Sequence, residues 1–477
     1  MASVARHEQE EVNATGQLAR ILTENRRAGA VGVYSICSAN RFVLEAGMLQ
    51  ARRDDSLLLI ESTSNQVNQF GGYTGQTPTQ FAFLVEEIAA AINFPVERII
   101  LGGDHLGPHV WRRDGPSAMQ KATELVRACV LAGYTKIHLD ASMRLAGDPG
   151  DPSGPLAEEI VSARAADLCQ AAEAAYSRLP AGAFAPLYVI GTEVPIPGGE
   201  LADGRAPATT RSEDVAQTIH LTKRAFEGRG LGAAWERVIA IVVQPGIEFG
   251  DASVFPYAPE KTRTLAQFAE EQWHGVYEAH STDHQMPTAL RQMVHDHFAI
   301  LKVGPWLTFA FREAVFALAA VEEEWLGGRA GITVSRVRES LEEAMLANPE
   351  YWKRYYRGDD SALRFARKYS FSDRCRYYWP QPSVAAALQQ LLANLTLHPP
   401  PLSLLSQFLP NEATAVRTQD ISDNPVELIH SKIREVIARY AYACGIGAIG
   451  RPAASNNSVD KTKEIVIKRK KNEVSQC

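Results

Sequence analysis

One rhythm constrains this chain more than anything else: eight short runs rich in β-branched and aliphatic residues, most of them separated by helix-like stretches. In order they are VGVYSIC (31–37), LLLIEST (57–63), RIILGGDH (98–105), TKIHLDAS (135–142), LYVIGTE (187–193), RVIAIVVQ (237–244), GVYEAHST (275–282) and AILKVGP (299–305). Each is followed by a polar or glycine-bearing break. Amphipathic segments such as TPTQFAFLVEEIAAAI (77–92) and SAMQKATELVRACVLAG (117–133) fill the intervals. Strands alternating with helices imply a parallel sheet with helical crossovers. Eight of them close into an α/β fold of the (β/α)8 TIM-barrel type, with its chemistry at the C-terminal ends of the strands. An open doubly wound sheet is the runner-up, but it usually carries a glycine-rich phosphate loop after its first strand. Here that turn reads CSANRFV, which favours the barrel.

We place the barrel in residues 1–326, its last helix being WLTFAFREAVFALAAVEEEWL (306–326). Beyond it the pattern turns helical without further β-like runs, which predicts a helical C-terminal subdomain over 327–450. Residues 451–477 read as a disordered basic tail, with few large apolar groups outside IVI at 465–467. That tail holds seven Lys/Arg against three Asp/Glu, so the formal net charge of −6 divides into +4 for the tail and −10 for the rest. An acidic body disfavours nucleic acid, whose phosphates call for a basic surface. MASVARHEQEEVNATGQ offers no apolar core for a signal peptide, and no uncharged apolar run of ~18 residues predicts a transmembrane helix. The six cysteines form no CxxC pair, which suits free thiols in a reducing cytoplasm.

The strongest local signal for chemistry is Gly102-Gly103-Asp104-His105 at the end of the third strand. A carboxylate beside an imidazole at a barrel rim can divide the work, with His on a divalent metal and Asp moving protons. Equally, Asp104 could cap the following turn and His105 bond to backbone. The fourth strand puts Lys136, His138 and Asp140 on one face; the seventh gives Glu278 and His280 the same period-two relation, followed by Asp283. The eighth contributes Lys302 between apolar neighbours. Such residues cannot face the helix-covered outside, so they pair inside the barrel or reach its mouth and meet a ligand. For Lys136 and Glu278 a purely structural ion pair is the plain alternative.

A His/His/carboxylate metal set from His105, Glu193 and His280 would suit zinc or manganese with an open position. Asp104 or Asp140 would then be the acid/base. Glu61, Asn65, His138, Gln244, Asp283 and Lys302 complete the expected substrate-binding set. Two tempting motifs are set aside. Gly445–Gly450 matches G-x-G-x-x-G but lacks the strand–turn–helix context, and no nucleotide cofactor is expected. His295-Asp296-His297 precedes the eighth strand and so lies at the stability end of the barrel. No G-x-x-x-x-G-K-[ST] occurs. YWKRYYRG (351–358) and RCRYYWP (374–380) read most simply as helical core or subunit interface. The sharper alternative is phosphate-gripping arginines closing over the barrel.

Several long runs together resemble one family. They are SNQVNQFGGYTG (64–75), ILGGDHLGP (100–108), KIHLDAS (136–142), VIGTEVPIPGGE (189–200), VIAIVVQPGIEF (238–249), VYEAHSTDHQ (276–285) and DHFAILKVGP (296–305). The family is the accessory, non-catalytic subunit of bacterial class II tagatose-1,6-bisphosphate aldolase, once labelled tagatose-6-phosphate kinase. The likeness runs through YWKRYY and RYYWP to about Cys444 and stops before the tail. It implies a class II aldolase-like barrel and a catalytic aldolase subunit as partner. It further implies a role in galactitol, tagatose or amino-sugar breakdown, a small sugar or sugar phosphate as ligand, and an oligomer. Some relatives act alone as metal-dependent ketose or ketose-phosphate epimerases. Asp104-His105 resembles the aldolases' Asp-His pair, with His on the metal and Asp as acid/base. Those enzymes use three His ligands, and a third does not stand out here.

Overall fold

The computed structural model describes residues 14–151, 154, 156–191, 207–273 and 275–446. Eight of its strands close a parallel barrel: β1 (Val33–Ile36), β2 (Leu58–Thr63), β3 (Ile99–Leu106), β4 (Lys136–Leu139), β5 (Leu187–Ile190), β6 (Val238–Val242), β9 (Val276–Ala279) and β10 (Ile300–Val303). β1 pairs with β10, so the sheet has no open edge, and each of the eight runs read from the sequence supplies one strand. β7 (Glu248–Phe249) and β8 (Val254–Phe255) form a small antiparallel hairpin in the loop after β6, too short for periodicity to announce. The fold is a TIM barrel.

Alternation along each strand sorts the side chains into two cores. Outward positions such as Tyr34, Ile36, Ile60, Ile137, Tyr188 and Leu301 pack against the surrounding helices. Inward positions such as Val33, Leu59, Ile100, Val189, Val276 and Ile300 form a second cluster, joined by Ala14, Leu18 and Leu22 of helix Ala14–Ala28. These inward residues belong mainly to the N-terminal parts of the strands, so that helix closes the bottom of the barrel. Asn25 ties it down through Nδ2 to Val31 O and Val294 O, at 2.6 and 2.8 Å. Above the apolar layer the inward positions become charged.

Residues 327–446 add helices and no strand. The last helix, Pro425–Ala443, buries Leu428, Ile429, Ile433, Ile437 and Tyr440 against helices Arg41–Asp54 and Pro305–Leu326. Its end is pinned to the barrel by Gly32 N–H donating to Cys444 O, at 3.0 Å. Among the described residues no helix is long and apolar enough to cross a membrane, and the described cysteines are free thiols. Glu193 and the basic tail lie outside the described residues.

Candidate active site at the barrel mouth

β3 departs from strict alternation where the chemistry begins. Its register against β4 shifts between Gly103 and Leu106, and His105 adopts a φ of 49°, in the left-handed region. Regular alternation would send Asp104 and His105 to opposite faces. The irregularity lets both line the cavity at the C-terminal mouth. The paired glycines before them have a steric reason. A Cβ on Gly102 would come within 2.7 Å of Glu61 Cγ, so the space beside β2 is reserved for that carboxylate.

Beneath the mouth lies a buried ion-pair layer. Lys136 Nζ is 2.6 Å from both Glu61 Oε1 and Glu278 Oε2. Lys302 Nζ contacts the other Glu61 oxygen, lies 3.1 Å from Asp104 Oδ1 and 3.8 Å from Glu278 Oε1. Ser35 Oγ donates to Glu61 Oε2 at 2.5 Å. Glu61, expected to face substrate, is therefore held inside the barrel by two ammonium groups and a hydroxyl. Lys302 lines the cavity but spends its charge on the same network.

The next layer up carries the imidazoles. His105 Nδ1 lies 2.8 Å from Asp140 Oδ2, and His105 Nε2 faces His280 Nδ1 at 3.1 Å. His280 Nε2 in turn lies 3.1 Å from Glu278 Oε1. His138 Nδ1 is 3.0 Å from Asp104 Oδ1, and its Nε2 is buried without a hydrogen-bond partner. Asp140, expected as an acid/base, stands behind His105 and also accepts from Ser142 N–H and Oγ–H, at 3.1 and 2.7 Å. It does not line the cavity, so its geometry suits orienting His105.

Electrostatics follow from burial among charges. Burial by itself would raise the Asp104 carboxyl, but His105 and the Lys302 ammonium outweigh it and hold it well below the usual range. Burial pushes the His105 imidazole down, yet Asp104 and the Asp140 hydrogen bond leave it above its ordinary value. For His280 burial prevails, and its pKa falls to about 4. At neutral pH Asp104 is therefore a carboxylate and His280 a neutral imidazole.

The remaining expected residues divide. Asn65 lines the cavity, as does Asp283. Asp283 Oδ1 accepts from Gly304 N–H and Trp306 N–H, at 3.1 and 2.8 Å, at the start of helix Pro305–Leu326. Gln244 is turned on its own loop, Oε1 accepting from Gly246 N–H and Ile247 N–H at 2.8 and 3.1 Å, and it is absent from the cavity wall. The cavity wall also includes residues outside the expected set, Cys37 and Arg376 among them. Arg376 sits in the aromatic-basic run 374–380, whose composition was the available signal; Cys37 had none.

Burial raises the Asp283 carboxyl to about 6. Its folded form then holds a proton more tightly than the unfolded chain, whose aspartates titrate near 3.9. Stability contributed by this group is thus lost as pH rises from about 4 to about 6. Asp283→Asn keeps an oxygen for the two N–H groups and removes that titration. Urea unfolding at pH 4 and 7 should show the wild type losing about 2–3 kcal/mol relative to the variant. Parallel pH profiles would refute the assignment.

Do these residues suit a divalent metal? One donor atom each from Asp104, His138, Glu278 and His280 lies within 4.8 Å of the others. His138 Nε2 is buried without a hydrogen-bond partner, and His105 Nε2 and His280 Nδ1 face each other at 3.1 Å, close enough to share a cation in place of a proton. Each ring of that facing pair has a carboxylate on its far side, the arrangement that orients metal-binding imidazoles. The donors fit a cation that accepts nitrogen and oxygen ligands.

Known proteins resemble the chain over most of its length. The family model described as D-tagatose-1,6-bisphosphate aldolase subunit GatZ/KbaZ-like matches residues 18–445. A crystal structure of a probable tagatose 6 phosphate kinase from Sinorhizobium meliloti 1021 is 41% identical, covering 87% of this chain and 100% of that one, with a TM-score of 0.78. More distant are the fructuronate-tagaturonate epimerase UxaE from Cohnella laeviribosi and a fructose-bisphosphate aldolase from Campylobacter jejuni. The epimerase is 14% identical over 88% of this chain and 82% of its own, with a TM-score of 0.43. The aldolase is 13% identical over 79% and 91%, with a TM-score of 0.41.

Proposed function

The chain belongs to the D-tagatose-1,6-bisphosphate aldolase subunit GatZ/KbaZ-like family, and from that premise we propose that it serves as the non-catalytic subunit of such an aldolase. In this reading it binds a catalytic class II aldolase barrel in the cytoplasm and supports that subunit's stability and full activity on a sugar bisphosphate. The observation that carries it is the family match across residues 18–445, which takes in both the barrel and the C-terminal helices. Phosphoryl transfer from a nucleotide is not part of the reading.

Co-expression with a class II tagatose-bisphosphate aldolase subunit tests it. The two chains should co-purify, and the aldolase should melt at a higher temperature and turn over faster in the complex than alone. Separate elution with unchanged melting and activity would end the proposal.

The mouth geometry favours a second reading, in which the chain itself performs metal-dependent chemistry on a ketose or ketose phosphate. His105 and His280, with the orphaned His138 Nε2, would hold the cation, which would polarise a carbonyl oxygen. Asp104, ionised and on the cavity wall, is placed to take a proton from the carbon beside that carbonyl, as epimerisation or retro-aldol cleavage requires. Asp140 keeps His105 oriented.

A further inference from the structure

Beside the barrel-mouth cavity runs a groove of about 870 Å³ that the chemistry above leaves unused. One wall is the turn Pro108–Asp114 after β3; the other comes from 350–357 and 374–377 in the C-terminal helical region. Five arginines line it: Arg112, Arg113, Arg354, Arg357 and Arg374. The carboxylates on its walls are Asp114 and Glu350, and Asp114 is already taken by Lys121 at 2.7 Å. Arg112, Arg113, Arg354 and Arg357 make no ion pair among the described residues. The local balance is strongly positive in a body whose overall charge is negative.

Aromatic rings hold part of this charge in place. Arg354 and Arg374 both lie over the Tyr355 ring, 4.7 and 3.1 Å from its centre. Each is attracted to the ring, but two cations on one ring repel each other, and an anion beside them relieves that repulsion. Asn65, Tyr73 and Tyr377 line both this groove and the barrel-mouth cavity. Tyr377 stacks on Tyr351 with centroids 4.7 Å apart and meets Tyr73 edge-on, also at 4.7 Å. On the cavity side Arg376 donates to Tyr377 Oη at 2.9 Å. The tyrosines form a shared wall, so a ligand held in the groove adjoins the cavity.

We propose that this groove binds a phosphate monoester, its guanidinium forks gripping the dianion while the rest of the molecule extends toward the barrel mouth. Planar forks with several N–H donors match phosphate oxygens pairwise, which a lysine cluster would not do. Continuity with a polar cavity favours a phosphorylated sugar over free phosphate. The inference stands on the groove's residues and depends neither on a partner subunit nor on a metal.

Calorimetric titration of the full chain, alone, with fructose 6-phosphate, inorganic phosphate and fructose tests it. The exposed pair Arg354→Gln/Arg357→Gln is compared with wild type and with a basic pair elsewhere, Lys223→Gln/Arg224→Gln. Fructose 6-phosphate should bind wild type and the control pair alike, and the groove variant at least about 10-fold more weakly, while melting temperatures stay together. Inorganic phosphate weakened to the same degree, with equal affinity, would assign the site to the free anion; tighter sugar phosphate assigns it to the ester. Fructose binding as well as its phosphate, absence of binding by either phosphate, or an unaffected groove variant overturns the proposal.

Discussion

Lys136→Met is expected to destabilise the folded chain by about 3–5 kcal/mol in urea unfolding, among the largest effects a single change here can have. The Lys136 side chain has no solvent exposure, and its ammonium is 2.6 Å from one oxygen each of Glu61 and Glu278, equally buried. Removing it leaves the Glu61, Glu278 and Asp104 carboxylates with Lys302 as their remaining buried ammonium partner. An uncompensated buried charge costs far more than the net worth of an intact pair, so the effect is one of desolvation and not of one lost contact. Lys223→Met, at an exposed helical position, should stay within about 0.5 kcal/mol of wild type. Because Lys136 does not line the mouth cavity, ligand binding by the surviving folded fraction should persist. A change below about 1 kcal/mol would mean that the layer is not held by these pairs.

That layer also shows what the sequence could and could not say. Period-two alternation put Lys136, Glu278 and Lys302 inside the barrel, because charge cannot face a helix-covered surface. Pairing was invisible, since Glu61 and Lys136 are 75 positions apart and only the closed sheet brings them together. Asp104-His105 stood out as chemistry-bearing types side by side, but alternation could not explain how both reach the mouth. The answer is a local register shift and a left-handed φ at a non-glycine residue, a cost the fold accepts where geometry matters. Gln244 shows the converse. It is among the expected substrate-binding residues, yet an amide in a turn readily satisfies nearby N–H groups, and it does so here. The C-terminal arginines were legible as a phosphate-gripping alternative, but their place opposite the turn after β3 depends on the fold.

His280→Ala is expected to remove bound divalent metal, whichever third donor is used. The imidazole belongs both to the group with Asp104, His138 and Glu278 and to the facing pair with His105. Burial holds it neutral at physiological pH, with its pKa near 4, so a lone pair is available without the cost of deprotonation. Loss of a direct ligand should weaken affinity by more than the ~10–100-fold that follows loss of an outer partner. Asp140→Asn supplies that outer case, because it alters what orients His105 without touching the donors themselves. Equilibrium dialysis of the purified chain against zinc or manganese, read by metal analysis, gives the comparison without an activity assay. His105→Ala then separates the donor sets: a loss matching His280→Ala places the cation between the facing imidazoles, and near-normal binding places it with His138 and Glu278. Wild-type affinity in His280→Ala would exclude both sets, leaving the imidazole layer a proton-sharing network above the buried ion pairs.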